Sequence, residues 1–148
     1  MPLISQTAEY ALRAVVHLAK SQLRDGQISQ TVSEIADNTQ VPVNYLSKVL
    51  QQLARAEIIS SQRGIGGGFK LFRAPAEITI YDVVQAVDSV PRIRSCPLGI
   101  AAHQSLCPLH QKLDAAMLHV EQAFQQTTLI NLIASETALC PTDSEIKS

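Results

Sequence analysis

The string Arg63-Gly-Ile-Gly-Gly-Gly68 constrains this chain more than any other feature. Four glycines within residues 64–68 would dissolve a helix, because glycine gives up the most backbone freedom on ordering. They suit a tight reversal instead. On either side lie Ile58-Ile-Ser-Ser-Gln62 and Phe69-Lys-Leu-Phe-Arg73, short and rich in β-branched and aromatic residues, so the segment reads as a β-hairpin. The glycines sit between two strands and lack both a following helix and a Gly-Lys-Ser/Thr ending. That excludes a dinucleotide-binding turn and a phosphate-binding loop.

Helical periodicity precedes the hairpin. Ala8, Leu12, Val15, Ala19 and Leu23 recur on one face, widened by Ala11 and Leu18, which predicts a helix from about Gln6 to Leu23 ended by Asp25-Gly26. Thr31-Val-Ser-Glu34 has the form of a capping box and starts a short helix over Val32 to Asn38. Pro42 suits the first turn of a third helix, whose inner positions are Leu46, Val49, Leu50 and Leu53. Asn44, Lys48, Gln51 and Arg55 share the opposite face, with Ser47 beside them. Helix, short helix, helix, hairpin is the order of a winged helix-turn-helix. Beyond it, Thr79-x-x-Asp82 caps a helix carrying Val83, Val84 and Val87. Leu109, Leu113, Met117, Val120 and Phe124 then mark a long amphipathic helix, and Leu129, Leu132 and Ile133 a shorter one. The reading is mainly α: a winged helix-turn-helix domain over 1–90, a candidate sensor loop over 91–111, dimerisation helices over 112–135 and a flexible tail over 136–148.

Charge selects the partner. The 148 residues carry a formal net charge of −1, so any nucleic-acid contact must come from a local patch. Between Val41 and Arg73 there are five cations (Lys48, Arg55, Arg63, Lys70 and Arg73) and one acid, Glu57; the rest of the chain holds seven basic and twelve acidic residues. The positive stretch coincides with the third helix and the hairpin. A helix fits the major groove, and cations are drawn to phosphates. Asn44, Ser47, Lys48 and Gln51 carry hydrogen-bonding groups for base edges, Tyr45 can reach a phosphate, and Arg63 at the base of a slim glycine tip suits the minor groove. A plain solvated helix face is the competing reading, and the arginine-and-glycine hairpin weighs against it. A winged helix used for protein contacts would show an apolar patch in place of Lys48, Arg55 and Arg63. No apolar run approaches the ~20 residues of a membrane span, so a cytoplasmic protein without membrane contact is expected.

Val41-Pro-Val-Asn-Tyr-Leu-Ser-Lys-Val-Leu-Gln-Gln-Leu53, Arg63-Gly-Ile-Gly-Gly-Gly-Phe69, Asp82-Val-Val-Gln-Ala-Val-Asp88 and Glu9-Tyr-Ala-Leu-Arg13 together resemble the Rrf-two family of bacterial winged-helix regulators, from about residue 1 to 134. The resemblance implies a homodimeric transcription factor, a repressor by this reading, paired through its long C-terminal helix on a near-palindromic operator in double-stranded DNA. By position it implies DNA contacts from Asn44, Tyr45, Ser47, Lys48, Gln51 and Arg63. Several relatives carry glutamate where Ser47 stands, so base preference does not transfer.

The loop Cys96-Pro-Leu-Gly-Ile-Ala-Ala-His103-Gln-Ser-Leu-Cys107-Pro-Leu-His110 gathers four soft or borderline ligands within fifteen residues. Cluster-binding relatives supply three cysteines from this loop. Here the middle one is absent and His103 stands roughly in its place. Some members also draw a carboxylate from the first helix of the partner subunit, where Glu9 is the matching position. The resemblance thus implies a possible [2Fe–2S] centre on Cys96, Cys107, His103 or His110, and Glu9. A thiol or zinc sensor and a metal-free loop remain open beside it. An enzyme using Cys107 and His110 is disfavoured, since the sequence offers no third orienting group and no Cys-x-x-Cys pair.

Overall fold

The computed structural model describes residues 3–95, 99 and 105–134. Helix α1 (Gln6–Asp25) is capped by Ser5, whose side chain accepts from the Ala8 N–H, and closes where Gly26 N–H donates to the Gln22 carbonyl. Helix α2 (Val32–Thr39) opens on the expected capping box: Thr31 Oγ1 accepts from Glu34 N–H, and Glu34 accepts from Thr31 N–H at 2.7 Å. It stops at Gln40, which adopts a left-handed conformation (φ 58°) and donates its N–H to the Ala36 carbonyl. Three residues later α3 (Val43–Arg55) begins, with Pro42 as its flanking residue rather than its first helical one. Strands β1 (Ile59–Gln62) and β2 (Gly68–Leu71) pair antiparallel with Ile59 opposite Leu71. A 3-10 turn (Pro75–Glu77) leads to α4 (Ile80–Val87), whose Thr79–Asp82 capping box is also formed. Helices α5 (Pro108–Gln126) and α6 (Leu129–Ala134) follow.

One core unites most of these elements. Ala11, Ala14, Val15 and Leu18 of α1 meet Ile35 of α2, Leu46, Leu50 and Leu53 of α3, Ile59 and Leu71 of the hairpin, and Val83 of α4. All are at most 3% exposed, which fixes the rotation of α3 and so dictates which residues it displays. The inner stripe of α3 is the one its periodicity predicts. A smaller cluster of Ala8, Val84 and Val90 draws in Phe124 and joins the start of α1 to the end of α5.

Two features go beyond the sequence reading. The hairpin gains a single-residue bridge: Phe69 N–H donates to the Gln30 carbonyl (2.7 Å) and Gln30 N–H to the Phe69 carbonyl (2.9 Å), tying the wing to the residue before the Thr31 cap of α2. Helix α6, grouped with the long helix on sequence, returns to the body. Leu129 is fully buried in the main core, and its N–H donates to Ile78.

Candidate nucleic-acid interface and the thiol at the start of the long helix

Because Leu46, Val49, Leu50 and Leu53 are locked inward, Asn44, Tyr45, Lys48, Gln51 and Arg55 are exposed. Ser47 is half-buried, and its hydroxyl donates to the Val43 carbonyl at 3.0 Å, leaving oxygen lone pairs to accept from elsewhere. Tyr45 is anchored from behind. Its ring lies 6.1 Å from that of Tyr10, tilted by 59°, and the Tyr10 hydroxyl accepts from Gln6 Nε2 at 2.9 Å. The first helix therefore sets the orientation of a side chain on the third.

The helix and the wing form one rigid corner. Glu57 N–H donates to the Ala54 carbonyl and Ile58 N–H to the Leu53 carbonyl, both at 3.1 Å, while Ile58 and Ile59 are buried. Arg63 is exposed at the base of the tip. Lys48, Arg55 and Arg63 have no carboxylate partner among the described residues, so their charge faces outward. Arg73 behaves differently. It lies 3.8 Å from Asp82 of α4 and braces the foot of the wing, so it contributes less to the positive face than the sequence count suggests.

Of the proposed sensor residues, Cys96 and His103 lie outside the described residues. Cys107 is the residue preceding α5, and its Sγ is 3.3 Å from Nδ1 of His110 one turn on. Glu9 is elsewhere engaged: its carboxylate accepts from Arg13 at 3.1 Å, and both side chains are more than one-third exposed. Farther along α5, Arg92 grips the helix with two parallel bonds to Asp114 (2.8 and 2.9 Å) and a longer one to Glu121 (3.4 Å). Asp114 also accepts from Ile93 N–H at 2.9 Å. The guanidinium and this N–H push the Asp114 carboxyl down to about 2, and the carboxylates hold Arg92 above its usual range. The segment leading to Cys96 is thereby fastened to the long helix.

A family model described as an iron-dependent transcriptional regulator, Rrf2, matches residues 4–135, which is α1 through α6. The chain belongs to the Rrf2 family. An rrf2-like HTH-type transcriptional regulator of Rhodobacter capsulatus is 31% identical over 124 residues, spanning 84% of this chain and 80% of that one. Among solved structures, T. potens IscR superposes with a TM-score of 0.73 at 18% identity, covering 94% of this chain and 92% of its own. CymR, the global cysteine regulator of B. subtilis, gives 0.74 at 22% identity, covering 90% and 97%. This Rrf2 protein is thus a DNA-binding transcriptional regulator of winged-helix fold, mainly α with a two-stranded wing. No helix among its described residues is long and apolar enough to cross a membrane.

Iron dependence in the family description raises the question of a metal centre. Cys107 and His110 are a fitting donor pair, a thiolate and an imidazole held together by one helical turn. Two donors do not complete a site, and the described residues contain no group of three His, Cys, Asp or Glu able to hold a metal.

Proposed function

We propose that this Rrf2 protein is a homodimeric repressor acting in the cytoplasm, with α3 of each protomer in successive major grooves of a near-palindromic operator and the wings in the flanking minor grooves. The observation that carries the reading is the outward face of α3. Asn44, Lys48 and Gln51 stand exposed on a helix whose opposite side is fully buried, next to an Arg63 with no carboxylate partner among the described residues. Dimer formation is supported by α5. None of its 19 residues is buried, yet Leu109, Leu113 and Leu118 are exposed along it. A helix this apolar needs a cover, and a second copy supplies one symmetrically.

The sensor is the loop ending at Cys107. Cys107 would hold a thiolate-seeking metal or cluster, a [2Fe–2S] centre in the first instance, together with Cys96, one histidine (His110 or His103) and a carboxylate such as Glu9. The bound group would supply a redox-sensitive crosslink between loop and helix. The residues' own part is positional. Since Arg92 fastens the loop's entry to Asp114, a change at Cys107 is passed to α5 and so to the spacing of the two recognition helices. A metal-free thiol switch on the same cysteine is the second reading, supported by the cysteine-regulator name of CymR.

The test starts from duplexes selected by the protein from a randomised pool. Affinity should fall steeply and log-linearly with salt, and Lys48→Ala and Arg63→Ala should each weaken binding by about 1–3 kcal/mol. Failure to enrich any duplex, or salt-independent binding, refutes the reading. For the sensor, anaerobic purification with an absorption spectrum, iron, zinc and thiol counts, and operator affinity of loaded, stripped and Cys107→Ala protein distinguish the cases. Equal affinity across the three removes the switch.

A further inference from the structure

At the tip of the wing one side chain stands alone. Ile65 is fully exposed at 107% of the reference accessibility, between glycines on both sides. The turn is closed by Gly67 N–H donating to the Gly64 carbonyl at 3.0 Å, so the tip has a defined shape. A Cβ at Gly64 or Gly66 would meet nothing within 4 Å, and both flanks of the isoleucine are bare. A polar residue would be the ordinary choice for such an apex.

The shape answers to a narrow slot. The minor groove is roughly 6 Å wide, and a finger with one branched side chain and no Cβ beside it is slim enough to enter. The Ile side chain is stiff at χ1, so seating it freezes little motion. It has no hydrogen-bonding atom, and the floor of the minor groove differs between pairs in one group: the 2-amino of guanine, a donor that an apolar tip would leave unsatisfied.

We infer that Ile65 is an apolar reader of the minor groove, selecting A·T over G·C pairs at the outer edge of each half-site by exclusion of the guanine 2-amino group. The inference rests on the DNA-binding reading above and adds a specificity-determining residue to it. Arg63 supplies the charge at the base of the finger, and Ile65 supplies the discrimination at its tip.

The experiment uses the full-length protein and its pool-selected duplex, with wing contacts located by hydroxyl-radical footprinting. At those contacts A·T pairs are replaced by G·C and, separately, by inosine·C, which keeps the major-groove face of G·C but lacks the 2-amino group. The parent protein should lose roughly tenfold on G·C and recover it on inosine·C. Ile65→Gly should bind the original duplex roughly tenfold more weakly and tell the three duplexes apart no longer. Its salt slope should match the parent, whereas Arg63→Ala should lose about one unit of slope. Ile65→Leu should retain the preference, showing that an apolar tip rather than loop stiffness is responsible. Equal binding of Ile65→Gly and parent to all three duplexes overturns the inference while leaving the DNA-binding reading intact. A parent protein that enriches no duplex overturns both.

Discussion

Gly68→Ala offers the sharpest test of how the wing is held. Gly68 has φ +139°, and a Cβ built there overlaps the Gln30 carbonyl carbon and oxygen and sits 3.0 Å from the Thr31 N. These are backbone atoms of the segment paired with β2, so they cannot swing away as a side chain could. Relief requires parting the Gln30–Phe69 bridge, with its two hydrogen bonds of 2.7 and 2.9 Å. Each is worth about 0.5–1.5 kcal/mol net, and the backbone conformation itself costs an L-residue about 1–2 kcal/mol. Together the loss comes to about 2–5 kcal/mol. Gly66→Ala is the control: φ is +73° there too, but a Cβ meets nothing within 4 Å, so only the conformational cost of about 1–2 kcal/mol applies. Urea unfolding followed by far-UV circular dichroism, at one fixed protein concentration because of the proposed dimer, reads the difference. Gly68→Ala should lie at least 1 kcal/mol below Gly66→Ala. Coincident transitions for the two variants would show that the bridge to Gln30 contributes nothing to stability, and the account of the wing's anchorage would be wrong.

Three further outcomes are expected. Leu50→Ala, at a fully buried position of α3, should cost roughly 2–5 kcal/mol in the same urea assay, and a loss under 1 kcal/mol would mean α3 is not seated as described. Asp114 titrates low because the Arg92 guanidinium and Ile93 N–H favour its ionised form. A depressed acid adds stability above its unfolded-state value of about 3.9 and surrenders it as pH falls towards about 2. The gap between parent and Asp114→Asn should therefore be full at about pH 5 and close towards pH 2, whereas a gap independent of pH would contradict the pairing. Leu113→Lys places a charge on the exposed apolar face of α5 and should shift sedimentation equilibrium towards monomer with a parallel loss of operator affinity; an unchanged mass would move the dimer contact elsewhere.

Features whose partners lie within one helical turn, or across one tight reversal, were legible in the sequence. Both capping boxes, the inner stripe of α3, the hairpin and the glycine stop of α1 follow from spacings of three or four residues and from backbone preferences, which no distant contact needs to establish. The outward face of α3 follows as well, because a buried stripe fixes its complement. What spacing cannot say is which distant groups meet. The tilted contact of Tyr10 with Tyr45, the bridge from Gln30 to Phe69, the brace of Arg73 on Asp82 and the grip of Arg92 on Asp114 link residues from nine to thirty-nine positions apart. Arg73 shows the consequence: sequence counts it with the DNA-facing cations, and packing turns it towards an acid. Helix α6 shows another, since its apolar stripe is compatible with a partner chain or with its own body, and only the close fit of Leu129 beside Ile78 decides. Local periodicity tells a residue to hide; the arrangement of the whole chain tells it where.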